Sequence, residues 1–221
     1  MSEAGAWEAG AKEWLSLVRD PSHRHGEQHD AVIHDLLPEP GGVALDVACG
    51  EGRFTRALAA LGFDATGLDR SPKLVAAAQQ ADTEGSYVVA EAHALPVGDS
   101  SARLVLCVNA LMHIVELDET LREFARVLAP GGVLVAALVH PVAEAGELDE
   151  ERDAMIVSRY FEAEPHAIPL GHHHVFHHHR TIEQYVRACL AAGFTLDDLR
   201  EVPGRTGSTP KYLDLRLSRS A

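Results

Sequence analysis

The chain contains the stretch Leu45-Asp46-Val47-Ala48-Cys49-Gly50-Glu51-Gly52, in which an apolar run with one acid leads into two glycines. Helical spacing follows from Phe54 to Leu61, so this stretch predicts a strand, a tight turn and the start of a helix. Gly50 and Gly52 carry no side chains, which lets a ligand approach the turn. The free amides at the helix start attract a carboxylate or a phosphate.

Short apolar strands alternate with helical segments on both sides of this turn, which is typical of a parallel sheet covered by helices on both faces. The predicted strands are Val43 to Ala48, Ala65 to Leu68, Ser86 to Ala90, Leu104 to Val108, Gly132 to Val139, Thr195 to Val202 and Tyr212 to Ser218. The predicted helices among them are Phe54 to Leu61, Pro72 to Gln80, Asp118 to Leu128 and Ile182 to Ala192. We predict an α/β fold with a Rossmann-like doubly wound sheet, mostly parallel with an antiparallel last strand.

Four regions follow from this pattern. Residues 1–40 are predicted to form an N-terminal helical cap, and residues 41–140 the Rossmann-like core that binds the cofactor. Residues 141–180 interrupt the alternation and are predicted to form an inserted lid that binds a second ligand, the acceptor. The lid has an acidic helix over Glu144 to Glu151 and a hairpin of Ser158 to Leu170 with His172 to Arg180 around Gly171. Residues 181–221 supply a helix and strands that complete the sheet.

The charge of the chain limits its partners. The 221 residues include 33 acidic and 19 basic side chains, a formal net charge of −14. Such a surface repels a phosphate backbone, so we expect no nucleic-acid partner. The N-terminal residues lack the features of a secretory signal, and no apolar stretch is long enough to cross a bilayer. We expect a cytoplasmic monomer or homodimer that does not bind membranes, with Cys49, Cys107 and Cys189 as reduced thiols.

An acidic residue ends the second predicted strand. Asp69 follows Gly52 by seventeen positions, where a carboxylate can accept hydrogen bonds from both hydroxyls of a ribose. The third glycine of a dinucleotide motif is replaced by Thr55, and Asp46 and Glu51 stand where a diphosphate would lie. Because negative charges repel a diphosphate, the pattern favours a cationic nucleoside without phosphate.

These motifs resemble the class I S-adenosylmethionine-dependent methyltransferases over Val43 to Val139. The stretch Leu45 to Gly52 is similar to their first motif, although Ala48 stands where many members have glycine. Gly67-Leu68-Asp69-Arg70-Ser71-Pro72 is similar to their second motif, which implies that Asp69 binds the ribose diol. The resemblance implies S-adenosylmethionine as cofactor, S-adenosylhomocysteine as product, and transfer of a methyl group to an O, N or C atom of a small molecule.

Further site residues follow from the same resemblance. Glu91 stands where the family usually has aspartate, which implies a contact with the adenine amino group, and the Ala92 amide would meet a ring nitrogen. Asn109 and Met112 would lie near the methionine half of the cofactor. Trp14 either covers that half or is an apolar anchor of its helix. The predicted cofactor-binding residues are Trp14, Asp46, Ala48, Gly50, Gly52, Asp69, Arg70, Glu91, Ala92, Asn109 and Met112.

Three histidines are candidate catalytic residues, because imidazole accepts a proton near neutral pH. His113 and His140 follow the fourth and fifth predicted strands, whose carboxyl ends face the ligand in open parallel sheets. The segment Phe176 to Ile182 resembles the His-Arg segment after the lid of some small-molecule methyltransferases, which implies a pocket-side or structural position for His179. A hydrogen-bonded structural histidine is the competing interpretation for each.

The chain also contains the histidine-rich stretch Gly171-His172-His173-His174-Val175-Phe176-His177-His178-His179-Arg180. On a strand, His172, His174 and His178 share one face, which is an alternative set of metal ligands. An acceptor pocket, a solvated surface strand and a pH-sensitive lid are the other interpretations. We expect no metal cofactor, because the family that the chain resembles usually needs none.

Two further functions compete with methyl transfer to a small molecule. One is a metal-assisted enzyme that uses the histidine-rich stretch, and the other is a non-catalytic protein that binds an adenosyl ligand. A nucleic-acid methyltransferase is disfavoured, because the loop Asn-Pro-Pro-Tyr of those enzymes would fall on Asn109-Ala110-Leu111-Met112.

Overall fold

A computed structural model of the chain describes residues 5–20, 27–149, 151–152, 154–162, 164–204 and 207–220. Its helices are α1 (Ala6–Arg19), α2 (Glu27–Leu36), α3 (Arg53–Leu61), α4 (Pro72–Ala81), α5 (Leu117–Val127), α6 (Pro141–Glu144) and α7 (Ile182–Ala191). Its strands are β1 (Val43–Val47), β2 (Asp64–Asp69), β3 (Ser86–Val89), β4 (Ala102–Val108), β5 (Leu128–Val139), β6 (Gly146–Asp149), β7 (Ala154–Val157), β8 (His166–Leu170), β9 (His173–His177), β10 (Phe194–Pro203) and β11 (Pro210–Arg219).

Seven of these strands form one sheet in the order β10-β11-β5-β4-β1-β2-β3. Strands β1 to β5 pair in parallel, whereas β11 is antiparallel to both β5 and β10. This topology confirms the predicted Rossmann-like sheet and its antiparallel last strand. Since β1, β2 and β4 run in the same direction, the loops after them lie at the same edge of the sheet.

Both faces of the sheet are buried, as β5 shows. Leu134, Ala136 and Leu138 face one apolar cluster, which includes residues of α5 and α7. Val133, Val135 and Ala137 face a second cluster, which includes residues of α2 and α3. Successive side chains of a strand point to opposite faces, so a continuous apolar run is what a sheet between two helical layers requires.

The helices next to the predicted cofactor loop have definite ends. Gly52 precedes α3 and Gly62 follows it, both with positive φ (80° and 100°). Ser71 caps α4 by accepting a hydrogen bond from the Leu74 amide, and Pro72 occupies the first turn, where its missing N–H has no cost. The N-terminal caps of α3 and α4 fix where the loops after β1 and β2 become helical.

The acidic helix predicted over Glu144 to Glu151 is wrong. The helix α6 ends at Glu144 after a single turn, and Gly146 begins an antiparallel hairpin of β6 with β7. The Met155 side chain packs where a Cβ of Gly146 would lie, 2.6 Å from its sulfur atom. Acidic side chains on an exposed hairpin are as well solvated as on a helix, so composition did not distinguish the two. Glu150 lies outside the described residues.

The second hairpin of the insertion is present in the predicted place but is shorter. Strands β8 and β9 pair antiparallel on either side of Gly171, which has a φ of 59°. His166 lies directly opposite His177 in this pairing. None of the described helices is long and apolar enough to cross a bilayer.

Candidate active site

The loop after β1 is shaped by residues in the left-handed conformation. Ala48, Gly50 and Gly52 have φ values of 61°, 58° and 80°. A Cβ on Gly52 would lie 2.6 Å from the Tyr87 ring, so only glycine fits there, whereas a Cβ on Gly50 would meet only Trp14 at 3.5 Å within the described residues. The loop therefore exposes backbone at Gly50, as the sequence predicts for a ligand-binding turn.

Asp69 holds this loop and the start of α4 together. One carboxylate oxygen accepts a hydrogen bond from the Gly50 amide and the other from the Ser71 amide, both at 2.9 Å. Burial raises the pKa of Asp69, and these two backbone hydrogen bonds oppose that effect. A carboxylate oxygen has two acceptor positions, so each oxygen of Asp69 still has one for a ligand hydroxyl.

Asp46 is enclosed beneath the same loop. Its carboxylate accepts a hydrogen bond from the Thr55 hydroxyl at 2.7 Å. Burial raises the pKa of Asp46 to about 7, although the bonds from Thr55 oppose the shift. Thr55 stands where a dinucleotide motif has its third glycine, and here it binds Asp46. A direct contact of Asp46 with a ligand stays a prediction.

The loop after β4 carries a strained polar residue. Asn109 has a φ of 51°, which is uncommon for a residue with a side chain. Its backbone N–H donates a hydrogen bond to the Ala137 carbonyl. Its side-chain oxygen is buried and accepts no hydrogen bond from any described residue. A buried acceptor without a donor fits a ligand N–H or O–H. Met112, by contrast, is only 2% exposed and packs in the core, and its carbonyl accepts from the His178 amide.

Helix α1 lies over the glycine loop. The Trp14 indole nitrogen is 3.5 Å from where a Cβ of Gly50 would lie, so this side chain covers the turn. Glu8 of the same helix accepts a hydrogen bond from the Ser71 hydroxyl at 2.5 Å and from the Lys73 amide at 3.2 Å. The N-terminal helix is thereby bound to the start of α4, beside Asp69.

A cleft of about 430 Å³ opens between these elements. Arg70 and Glu91 line one part of it and form an ion pair at 3.2 Å. Trp7, His113 and Phe176 line another part. The cleft thus joins the predicted adenosine side of the site to one of the predicted catalytic histidines.

His113 has a defined orientation in this cleft. Its Nδ1 lies 2.9 Å from the Phe176 carbonyl, so Nδ1 carries the proton and Nε2 is the acceptor of the neutral ring. Burial, together with the charge of His177, lowers the pKa of His113 to about 4. The Arg180 guanidinium donates to the carbonyls of Leu111, Ile114 and Val115 and thereby fixes the loop that carries His113.

The structure gives His140 a capping role instead of the catalytic role predicted for it. Its Nδ1 accepts a hydrogen bond from the Val142 amide, and its Nε2 lies 2.8 Å from a Glu201 carboxylate oxygen. The side chain is 1% exposed. With both ring nitrogens engaged at the start of α6, His140 does not face the cleft.

His179 is also enclosed by hydrogen-bond partners. Its Nδ1 lies 3.2 Å from a Glu144 carboxylate oxygen and its Nε2 lies 2.9 Å from the Tyr160 carbonyl. It therefore positions Glu144 instead of facing the cleft, which agrees with the structural alternative for this residue.

The histidines of the hairpin are grouped differently from the predicted set. Among the described residues, the ligand atoms of Glu144, His166 and His177 lie within 4.8 Å of one another. The predicted set of His172, His174 and His178 does not form such a group. Glu144 and His166 were missed by sequence reasoning. The hairpin register could have paired His166 with His177, but the contact with Glu144 depends on how α6 packs.

Comparison with known proteins identifies the core. Residues 45–136 match the family model described as a methyltransferase domain. The 2-methyl-6-phytyl-1,4-hydroquinone methyltransferase of Synechocystis is 39% identical over 107 residues, which cover 47% of this chain and 33% of that protein. The chain spans a third to just over half of the length of the curated relatives that it matches.

Solved structures extend the likeness beyond the core. An S-adenosylmethionine-dependent methyltransferase of Mesorhizobium loti superposes with a TM-score of 0.78 at 25% identity, covering 88% of this chain and 99% of that one. The 1,6-didemethyltoxoflavin-N1-methyltransferase of Burkholderia thailandensis, solved with its substrate and S-adenosylhomocysteine, superposes with a TM-score of 0.66 at 18% identity, covering 100% and 92%. The second of these supports the fold alone.

Proposed function

We propose that the chain binds S-adenosylmethionine and methylates a small molecule. The premise is that residues 45–136 form a class I S-adenosylmethionine-dependent methyltransferase domain. The observation that carries the proposal is the glycine loop, which exposes backbone at Gly50 and is joined to the carboxylate of Asp69. No phosphate is needed to explain this site, and the buried Asp46 behind it disfavours one.

The residues present fit the proposed cofactor. Asp69 retains acceptor positions for a ribose diol, and Glu91 with the Ala92 amide would bind the adenine. The backbone at Gly50 and the orphaned oxygen of Asn109 would bind the amino-acid end. Trp14 would cover that end, since it already lies over Gly50. When bound, the cofactor supplies an electrophilic methyl group on a sulfonium.

His113 is the proposed proton acceptor. It lines the cleft with Trp7 and Phe176, and its Nδ1 bond to the Phe176 carbonyl leaves Nε2 as the acceptor. A hydroxyl or ammonium acceptor must lose one proton on methylation. Because burial lowers the pKa of His113 to about 4, the ring is neutral at pH 7 and its Nε2 is open to that proton, and the base is a weak one. His140 and His179 lack this access because both nitrogens of each ring already have partners.

The acceptor is proposed to be a small molecule bound between α1 and the insertion of residues 141–180. The Synechocystis relative is named for a hydroquinone, and the Burkholderia neighbour for a demethylated toxoflavin. The net charge of −14 supports the exclusion of nucleic acid. A cytoplasmic monomer or homodimer without membrane contact completes the proposal.

An assay with a panel of small phenols, carboxylic acids and amines tests this function. Full-length protein is incubated with S-adenosylmethionine, and release of S-adenosylhomocysteine is measured. We expect release that depends on one class of acceptor. Tight binding of S-adenosylhomocysteine without release on any acceptor would instead indicate the non-catalytic, adenosyl-binding alternative.

Replacement of His113 separates catalysis from binding. We expect His113→Gln to lower turnover about a hundredfold, the usual contribution of a general base, while calorimetry shows unchanged affinity for S-adenosylhomocysteine. His172→Gln, on an exposed turn residue of the same insertion, is the control and should keep the wild-type rate. Wild-type turnover in His113→Gln would remove His113 from the mechanism.

A further inference from the structure

A partly buried group of one carboxylate and two imidazoles lies beside the cleft. Glu144 is the last residue of α6, whereas His166 and His177 face each other across the β8–β9 hairpin. Directly opposite residues of an antiparallel pair point to the same side, so both imidazoles meet the carboxylate from one face. One ligand atom from each residue lies within 4.8 Å of the other two.

The polar atoms at the centre of this group are only partly satisfied by the protein. The Glu144 side chain is 1% exposed and that of His177 is 12% exposed. Glu144 Oε1 and His177 Nδ1 form an ion pair at 2.9 Å, but their geometry is not that of a hydrogen bond, and neither atom has a hydrogen-bond partner among the described residues. A cation placed between the two imidazoles and the carboxylate would bind these atoms more completely than the ion pair does.

The other oxygen of Glu144 is fixed by the protein. His179 approaches it at 3.2 Å through Nδ1, while its Nε2 is held at 2.9 Å by the Tyr160 carbonyl. This arrangement orients the carboxylate so that Oε1 points to His177. Carboxylates and imidazoles that bind metals usually have hydrogen-bond partners that orient them in this way.

We infer that Glu144, His166 and His177 form a site for one divalent first-row transition-metal ion. Two imidazoles and a carboxylate match zinc, iron, cobalt and nickel better than magnesium or calcium, which prefer oxygen ligands. Ligand atoms around an ion with bonds of about 2.1 Å stand about 3 to 4 Å apart, so small side-chain rotations complete the geometry.

The site lies next to the proposed acceptor. The ring of His177 is 4.5 Å from that of His113, which lines the cleft. Three protein ligands leave coordination positions open for an oxygen or nitrogen of another molecule. This ligand set differs from His172, His174 and His178, the alternative that the strand pattern indicates.

Titration of tag-free, full-length protein with Zn²⁺ by calorimetry, and with Co²⁺ by visible absorption, tests the inference. We expect one ion per chain and Co²⁺ bands that report nitrogen ligands. The double variant His166→Ala/His177→Ala should lose the stoichiometric ion. Glu144→Gln keeps the shape of the side chain and provides a second test if the double variant misfolds. It should weaken Zn²⁺ binding at least tenfold.

The matched control is His172→Ala/His174→Ala, which removes two exposed imidazoles from the same hairpin. It should bind Zn²⁺ like the wild type. Absence of a stoichiometric ion in the wild type, or equal loss in the control and in the cluster variants, would overturn the inference. The measurement involves no adenosyl ligand, so its failure would leave the proposed methyl transfer untouched.

Discussion

At the scale of single residues, Gly52 links the stability of the fold to the shape of the cofactor loop. It has a φ of 80° at the start of α3, and the Tyr87 ring occupies the place of its missing side chain. Tyr87 is held in turn by a hydrogen bond from its hydroxyl to Asp82 at 3.1 Å. A side chain at position 52 therefore strains the backbone and displaces a fixed ring.

We expect Gly52→Ala to lower the free energy of unfolding by at least about 2 kcal/mol. The left-handed conformation costs alanine roughly 1–2 kcal/mol, and crowding of the Tyr87 ring adds to it. Urea denaturation measures the change. Gly98→Ala is the control, because a Cβ there meets nothing within 4 Å, and it should stay within about 0.5 kcal/mol of the wild type. Equal stability of the two variants would contradict this role of Gly52.

Local sequence next to strand ends identified the turn at Gly50 and the carboxylate of Asp69. The structure joins the two by a hydrogen bond, and their binding of a cofactor stays a prediction. The roles of His140 and His179 depend on Glu201 and Glu144, which lie 61 and 35 residues away. No local spacing encodes such partners, so position after a strand was an insufficient guide for His140, and the resemblance left the pocket-side and structural positions of His179 open.

At the scale of elements, one side chain joins α1 to the start of α4. Glu8 accepts hydrogen bonds from Ser71 and Lys73 at the start of α4 and lies 3.3 Å from the Lys73 ammonium. A carboxylate at a helix N-terminus also interacts favourably with the helix dipole. Since Trp14 of the same helix covers Gly50, we expect this contact to help hold Trp14 over the glycine loop.

We expect Glu8→Gln to increase amide hydrogen exchange over residues 6–19 about two- to fivefold, because a dipole-stabilised carboxylate contributes up to about 1 kcal/mol. Mass spectrometry of peptides from that helix provides the measurement. Lys12→Gln changes an exposed charge on the same helix and should leave the rates unchanged. Identical exchange in wild type and Glu8→Gln would mean that other contacts hold α1.

The helices and strands of the core were predicted within a few residues, whereas the first hairpin of the insertion was not predicted. Buried strands such as β5 are apolar on both faces, so their pattern is visible in the sequence. The hairpin of β6 and β7 is short, and its apolar residues Ile156 and Val157 are exposed. Its sequence therefore lacks the alternation of buried apolar and exposed polar residues that indicates a strand. Its strands pair through backbone hydrogen bonds, which side-chain patterns do not report.

At the scale of the whole molecule, one sheet edge brings the cofactor residues together. The loops after β1, β2 and β4 place Gly50, Asp69 and Asn109 at the carboxyl ends of parallel strands, where open α/β sheets bind ligands. The insertion and α1 then enclose the cleft beside that edge. In our proposal, the core binds the cofactor and these surrounding elements bind the acceptor.

Calorimetric titration with S-adenosylhomocysteine tests this arrangement most directly. We predict one binding site in the wild type, and at least a tenfold loss of affinity, about 1.4 kcal/mol, in Asp69→Asn. Asp64→Asn, at the exposed start of the same strand, should bind like the wild type. Binding of NAD in place of S-adenosylhomocysteine, or equal affinity of wild type and Asp69→Asn, would contradict the claim that this glycine loop and its carboxylate bind an adenosyl cofactor without phosphate.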